Sequence, residues 1–270
     1  MTRRSRSNLR FLLPPSEAKA TGGRGRPLRA TLRATPIEHA REPVLRDVAL
    51  LAAGDRAAAA AALHLPPACA AAALAANCAV LDSATMPALR RYTGVVYEGL
   101  GFRSLTPGQQ SLAGRSVLIF SGLFGIVRGD DPVPNYRVPA NANLPHIGLA
   151  RTYWRHALAE IVPPLLGAGV VIDLRSADYA AVWRPTPDLL DRVISVRVLS
   201  KRPTGRYAVV SYASKLAKGK LCRELIRQSE SGAPIASRQD IAEAWRRCGA
   251  TSSPSSDLRT PGHIDLFASD

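Results

Sequence analysis

Five short apolar runs, rich in β-branched residues, constrain the fold of this chain more than any other feature. They are "LRFLLPP" near the start, "SVLIFSGL" (116–123), "GVVIDLRS" (169–176), "VISVRVLS" (193–200) and "YAVVSY" (207–212), and their composition predicts strands. A segment with helical spacing connects the second run to the third, whereas the short turn "KRPTG" connects the fourth to the fifth. A helical connection suits parallel strands and a short turn suits antiparallel ones. The sequence therefore predicts an α/β fold with a mixed sheet.

Helical segments fill most of the remaining chain. The stretch 44–91 is dominated by Ala and Leu and broken at Gly54 and Pro66, which predicts an Ala-rich helical insertion. We expect further helices up to Pro163 and over 213–230 and 238–248, and a last edge strand at "HIDLF". Because no internal repeat is visible, we predict a single domain over 9–270, preceded by a disordered basic arm over 1–8.

The formal net charge of +15 favours acidic partners, with nucleic acid first and anionic membrane second. Part of this charge reflects an Arg-rich and Ala-rich composition typical of GC-rich genomes. No apolar stretch is long enough to predict a membrane span or a signal core, so we expect no membrane association and a cytoplasmic location. The four cysteines form no CxxC pair, which predicts reduced thiols, no metal site and no cofactor.

Polar clusters directly follow four of the predicted strands. They are "FLLPPSEAK", "IFSGLFGIVRGDDPVPNYR", "VIDLRSADY" and "VVSYASKLAKGK". Residues beyond strand ends commonly converge on one ligand crevice in α/β sheets, although polar loops are also ordinary. In the second cluster, Arg128 and Arg137 are donors suited to phosphate, and Asp131 could orient one of them. The crevice would further include Ser16, Ser121, Gly122, Tyr136, Arg175, Ser176, Tyr179 and Tyr212.

Five blocks of the chain, in their order and approximate spacing, resemble the YaaA family of peroxide stress proteins. They are "LLPPSEAK", "YTGVVYEGLG", "SGLFGIVRGDDPVPNYR", "DLRSADY" and "SYASKLAKGK", and the resemblance covers roughly residues 9–230. The matching positions are Ser16, Glu17, Lys19, Gly94, Tyr97, Gly99, Ser121, Gly122, Gly125, Arg128, Asp131, Tyr136, Arg137, Trp154, Ser176, Tyr179, Tyr212, Lys215, Lys218, Gly219 and Arg223.

The resemblance implies a cytosolic bacterial protein that limits oxidative damage under hydrogen peroxide and is associated with lower free iron. It also implies a compact fold of the family's own type, with a helix-hairpin-helix element, a basic cleft and binding to duplex DNA. The turn "YTGVVYEGLG" is the segment that resembles the helix-hairpin-helix. This sequence departs from the family pattern at Gly129 and Asp130, where a Pro-Leu pair is usual, and in its C-terminal tail.

Two classes of function remain open from the sequence. In the first, a monomeric protein binds duplex DNA or a nucleotide-like ligand through Arg128, Arg137, Lys215, Lys218 and Arg223, with little base readout. Lys215, Lys218 and Arg223 would form the anion-facing side of one helix, because their spacing places them on one face.

In the second class, the protein is an enzyme on a nucleotide, a nucleobase or a damaged base. Glu17, Lys19, Asp131 and Lys215 have the side-chain types that cleavage of a glycosidic bond requires, namely a carboxylate and an amine. Direct iron binding is disfavoured, since the five histidines form no recognisable ligand pattern with the carboxylates.

Overall fold

An eight-stranded mixed sheet forms the centre of the computed structural model, which describes residues 9–201, 203–248, 256–257 and 262–268. In chain order, the strands of these residues are β1 (Arg10–Leu13), β2 (Gly25–Pro27), β3 (Ala84–Pro87), β4 (Val117–Ser121), β5 (Gly125–Arg128), β6 (Pro132–Val133), β7 (Asn143–Leu144), β8 (Gly148–Leu149), β9 (Val171–Asp173), β10 (Val193–Lys201), β11 (Tyr207–Ala208), β12 (Ser256–Asp257) and β13 (His263–Phe267). The basic arm predicted over 1–8 lies outside the described residues.

The order of the main sheet is β12-β13-β10-β9-β1-β4-β5, and β11 pairs with β10. Strand β1 is parallel to both β4 and β9, and β10 is parallel to β9 and β13. The carboxyl ends of β1, β4 and β9 therefore meet at one edge of the sheet. Strand β5 runs antiparallel to β4, with Arg128 opposite Leu118, so Arg128 lies at the other edge.

The central strands are buried on both faces, which explains why they read as continuous apolar runs. Every residue of β4 and of β9 is buried. Strand β1 ends at Leu13 because Pro14 and Pro15 follow it, and proline has no N–H to continue the ladder. The chain therefore leaves the sheet at the edge where β4 and β9 also end.

The helices of the described residues cover the sheet and form the Ala-rich region. They are α1 (Pro36–Ala53), α2 (Arg56–Ala62), α3 (Pro67–Cys78), α4 (Ala88–Arg91), α5 (Val95–Leu100), α6 (Pro107–Ser116), α7 (Ala150–Leu166), α8 (Ala177–Ala180), α9 (Ser211–Glu230) and α10 (Arg238–Arg247). The expected α/β architecture with a mixed sheet is confirmed, and the Ala-rich stretch folds as helices that end at the predicted breaks.

Some boundaries differ from the sequence prediction. Helix α7 continues through Pro163 and Pro164, because the carbonyls that lose their N–H partners belong to the exposed residues Ala159 and Glu160, where water can replace them. Strand β13 is not an edge strand, since β12 pairs with its outer side. Strand β11 has only two residues, and α9 begins already at Ser211.

Two glycines set the position of α9 against α5. A Cβ atom on Gly219 would clash with the carbonyl oxygen of Val96, and one on Gly99 would clash with that of Leu216. The two helix backbones therefore approach more closely than any side chain would allow. From α9, Lys218 reaches the carbonyl of Arg175, which follows the carboxyl end of β9.

Candidate functional site

A cavity of about 360 Å³ opens at the edge where β1, β4 and β9 end. We call it the Lys19 cleft. It is lined by Pro15, Ser16, Glu17, Lys19, Leu63, His64, Tyr136, Arg137, Val138, Pro139, Ala140, Asn141, Arg151, Asp178 and Tyr179. Two of the four predicted strand-end clusters supply Glu17, Lys19 and Arg137, and a third supplies Tyr179. The expectation of a shared crevice therefore holds for these three clusters.

The segment after β1 is pinned so that Lys19 reaches the cleft. A single bridge pairs Lys19 with Tyr92, and the Thr93 N–H donates to both the Ala18 carbonyl (3.2 Å) and the Ser16 hydroxyl (3.1 Å). The Tyr97 hydroxyl donates to the Pro14 carbonyl at 2.7 Å. The blocks 14–19 and 92–97, distant in sequence, thus form one unit.

The Lys19 amine is held by backbone carbonyls and by an aromatic ring. Its Nζ donates to the carbonyl of Ser16 at 2.8 Å and to that of Glu17 at 3.4 Å, and it lies 4.2 Å from the centre of the Tyr136 ring. Burial, with a smaller contribution from the charge of Arg137, lowers the pKa of Lys19 to about 7, while the charge of Glu17 opposes the shift. Near neutral pH the protonated and the neutral form of the amine are therefore both populated.

Arg137 carries the second cation of the cleft. The Asn77 side chain fixes its backbone on both sides, accepting from the Arg137 N–H at 2.8 Å and donating to the Arg137 carbonyl at 3.0 Å. The guanidinium pairs with Glu17, whose side chain is 73% exposed. An ion pair with so exposed a partner contributes little to stability.

A chain of buried hydroxyl groups supports the Tyr136 ring beneath Lys19. The Tyr136 hydroxyl lies 2.6 Å from that of Tyr92 and 2.7 Å from that of Ser121, and Ser121 accepts from the N–H groups of Leu123 and Phe124. Burial raises the pKa of Tyr136 well above its ordinary value, so the phenol stays neutral. Ser121 thus acts here as a buried structural acceptor, and it reaches the cleft lining through its contact with the Tyr136 hydroxyl.

Three predicted site residues near this edge are engaged in structural bonds. Arg175 binds both carboxylate oxygens of Asp173, at 2.9 and 2.7 Å, and is buried. Lys218 donates to the Arg175 carbonyl at 3.0 Å, and burial lowers its pKa to about 8. Arg223 donates to the carbonyls of Leu100 and Gly101, and so caps the C-terminal end of α5. The phosphate contacts of Lys218 and Arg223, and the ligand-cleft role of Arg175, stay predictions.

Arg128 and Asp131 lie at the opposite edge of the sheet. They line a second cavity of about 500 Å³ beside Arg41, and the Asp131 carboxylate accepts from the Arg128 N–H at 2.8 Å. Burial raises the pKa of Asp131. The expectation that Arg128 and Asp131 share a crevice with Glu17 is therefore wrong, because β5 reverses the chain direction immediately after Ser121.

The remaining predicted residues border the edge without lining the cleft. Lys215 and Tyr212 are exposed on the first turns of α9, Tyr212 by 58%. Ser176 precedes α8 as its N-terminal flanking residue. Gly122 packs against the carbonyls of Val138 and Pro139, where a Cβ atom would not fit. Their predicted roles in binding are not tested by this geometry.

Four polar residues of the cleft lining were not predicted from the sequence. His64 and Asn141 come from loops with no strand-end position, and the His64 Nε2 lies 3.1 Å from the Asn141 carbonyl. His64 also has a positive φ of 48°, which is uncommon outside glycine. Arg151 and Asp178 are exposed residues of the helices α7 and α8, and their sequence pattern is that of ordinary positions on a helix surface. One sequence signal for the site was available in Asn77, the single amide side chain of the Ala-rich helix α3. A buried amide needs hydrogen-bond partners, and those of Asn77 are the backbone groups of Arg137.

Within the described ranges, no three His, Cys, Asp or Glu residues come together as a metal site would require. In the same part of the chain no single helix is long and apolar enough to cross a membrane; α2 and α3 reach that length and composition only as a pair bent by 95°.

Comparison with known proteins connects this geometry to a family. The family profile described as "Peroxide stress protein YaaA" matches residues 9–237. A UPF0246 protein of Streptomyces coelicolor is 40% identical over 239 residues, which is 88% of this chain and 89% of that protein. UPF0246 proteins of Corynebacterium efficiens and Corynebacterium glutamicum are 33% and 31% identical and cover 86% and 87% of this chain, in each case with 91% of the relative. The chain therefore belongs to the YaaA family of peroxide stress proteins.

Proposed function

We propose that this member of the peroxide stress family binds a phosphate-bearing, nucleotide-like ligand in the Lys19 cleft. The observation that carries the proposal is that the Lys19 amine and the Arg137 guanidinium line one cavity of about 360 Å³. A cavity of this size lies at the lower end of the range that small-molecule sites occupy. The phosphate would bind Arg137 in place of the Glu17 carboxylate.

The chemistry of the lining supports a ligand with an anionic end and a flat or apolar body. Lys19, Arg137 and Arg151 supply three cations, against the carboxylates of Glu17 and Asp178. Apolar contact surface comes from Leu63, Val138, Pro139 and Tyr179. A planar guanidinium is suited to bidentate contact with phosphate, and its backbone is already fixed by Asn77. A pre-organised cation of this kind loses less entropy on binding.

Duplex DNA is the partner that the sequence resemblance implies, and its binding is a separate proposal that involves a different surface. A duplex is far wider than the cleft, so it would bind outside, where Lys215 and Lys220 are exposed on α9. Only an extruded nucleotide or a strand end would then enter the Lys19 cleft. The helix-hairpin-helix role of residues 92–101 belongs to this proposal, since the turn before α5 would offer N–H groups to a phosphate.

The first experiment is calorimetric titration of the purified protein with deoxyadenosine monophosphate and, separately, with deoxyadenosine. We expect the monophosphate to bind and the nucleoside to bind much more weakly. Arg137→Ala should lower the monophosphate affinity about tenfold to a hundredfold, the usual value of a hydrogen bond to a charged group. Arg46→Ala is the matched control, because Arg46 also pairs with a glutamate but is exposed on α1. Equal affinity for the two ligands, or no effect of Arg137→Ala, would contradict the proposal.

A second candidate function is catalysis on such a nucleotide. One observation favours it: the cleft holds an amine whose pKa is about 7 together with the carboxylate of Glu17. A group that binds phosphate as a permanent cation needs no such pKa, whereas a nucleophile or proton carrier does. An enzyme of this kind would lose turnover, with binding retained, when Lys19 is replaced by Arg.

A further inference from the structure

We propose that Lys19 is an amine nucleophile that forms an imine with the aldehyde carbon of a sugar phosphate, such as the ring-opened deoxyribose left when a nucleotide loses its base. The inference rests on the proposed function, because the phosphate must first be held at Arg137. It goes further by naming the reacting atom of the protein, the Nζ of Lys19, and the chemical class of the substrate, a phosphorylated sugar aldehyde.

The position of the amine distinguishes Lys19 from the other lysines. The chain has five, at positions 19, 201, 215, 218 and 220, and all are described in the structure. Among them Lys19 lines the cleft, whereas Lys201, Lys215 and Lys220 are exposed and Lys218 is directed to the Arg175 carbonyl. A sugar phosphate bound at Arg137 would therefore meet one lysine amine.

The partners of Lys19 leave its lone pair usable. Its hydrogen-bond acceptors are the carbonyls of Ser16 and Glu17, and the Glu17 carboxylate is paired with Arg137 instead. An amine bound to a carboxylate is held in its charged form, and a charged amine cannot attack carbon. Here burial and the charge of Arg137 favour the neutral form, and the pKa of about 7 agrees with this arrangement. The Tyr136 ring, whose centre is 4.2 Å from the Lys19 Nζ, packs against the amine within the cleft lining.

The reaction balances without any further reactant. The nitrogen lone pair attacks the aldehyde carbon, the carbonyl π electrons move to oxygen, and a proton passes from nitrogen to that oxygen. The second proton then leaves nitrogen as the hydroxyl departs as water, which leaves the C=N bond, so one amine and one aldehyde give one imine and one water. Glu17 and Asp178 are the carboxylates of the cleft lining that could carry the proton. No oxidant or reductant is consumed.

The test is trapping with sodium cyanoborohydride in the presence of 2-deoxyribose 5-phosphate. Reduction of the imine makes the adduct permanent, and it adds the mass of the sugar phosphate less one oxygen atom. We expect a single adduct on the intact protein, located on Lys19 by peptide mapping of the wild-type chain. Lys19→Arg should abolish it, and Lys220→Arg, a change on an exposed lysine of α9, should not. Deoxyadenosine monophosphate should compete, and the labelling rate should rise with pH through about 7.

Several results would overturn the inference, and they are separable from failure of the proposed function. If the adduct is spread over Lys215 and Lys220 in proportion to their exposure, the cleft directs no chemistry. If deoxyadenosine monophosphate binds but no adduct forms on Lys19, the inference is wrong and the proposed function stands. If neither binding nor labelling occurs, both are wrong. Because peptide mapping uses the wild-type protein, a variant that does not fold leaves the test intact.

Discussion

The lowered pKa of Lys19 has a thermodynamic consequence that needs no ligand. In the unfolded chain the amine has an ordinary pKa of 10.5, and in the folded protein burial and Arg137 lower it to about 7. Below pH 7 both states carry the proton, and the folded state bears the full cost of a buried charge. As pH rises from 7 towards 10.5, the folded protein releases the proton first, so the unfolded state binds more protons and stability increases.

The magnitude follows from the two pKa values. Between about pH 6 and about pH 9, the difference in bound protons accumulates over roughly two pH units, and each unit corresponds to about 1.4 kcal/mol. The wild-type unfolding free energy should therefore gain about 2 to 3 kcal/mol from Lys19 over this range. Lys19→Met removes the group. Its unfolding free energy relative to wild type should fall by the same amount between the two pH values.

Urea unfolding at several pH values, for wild type and Lys19→Met, measures this difference directly. The lost hydrogen bonds to Ser16 and Glu17 contribute a constant offset, and Lys218 titrates in both proteins, so neither affects the slope. Lys220→Met, at an exposed position of α9, is the matched control for the loss of a lysine outside the cleft. Parallel pH profiles for wild type and Lys19→Met would refute the reasoning, because they would show an unperturbed lysine.

Three further predictions concern the framework of the site. Gly219→Ala should destabilise the protein by about 2 kcal/mol or more in thermal unfolding, because the new methyl meets the Val96 carbonyl; Gly54→Ala, where the nearest atom is 3.4 Å away, should change little, and similar losses at both sites would count against the helix crossing. Asp173→Asn should cost about 3 to 5 kcal/mol in denaturant unfolding, since it leaves the buried Arg175 without its carboxylate, and an unchanged midpoint would exclude that pairing. Asn77→Ala should weaken binding of deoxyadenosine monophosphate although Asn77 is not in the cleft lining, because it frees the backbone of Arg137; unaltered affinity would show that this support is unnecessary.

The sequence predicted the sheet well because its central strands are buried on both faces. An apolar run such as "VLIFS" has few alternatives to a buried strand in a chain of this composition. Strands β1, β4, β9 and β10 lie where the pattern placed them. Strands that lie outside the apolar runs were not predictable. Strand β5 has four residues and begins at Gly125, whose φ of +66° permits the reversal after Ser121, and its pairing with β4 depends on tertiary contact.

The candidate site was predictable in part, for a related reason. Strand ends locate residues along the chain but not across the sheet, so Glu17, Lys19 and Arg137 were found while Arg128 was assigned to the wrong edge. Arginine is a residue type that often binds anionic ligands. In this protein, however, Arg223 binds backbone carbonyls and Arg175 binds the carboxylate of Asp173. Sequence alone does not distinguish an arginine that binds phosphate from one that caps a helix.

The most direct test of the account is a crystal structure of the protein with deoxyadenosine monophosphate. We predict that the phosphate oxygens lie about 3 Å from the Arg137 guanidinium, the distance of a charge-assisted hydrogen bond. The sugar should then face the Lys19 amine, and the Glu17 carboxylate should have left Arg137. A nucleotide bound in the second cavity beside Arg41 and Arg128, or on the outer surface of α9 at Lys215, would contradict the assignment of the Lys19 cleft as the ligand site.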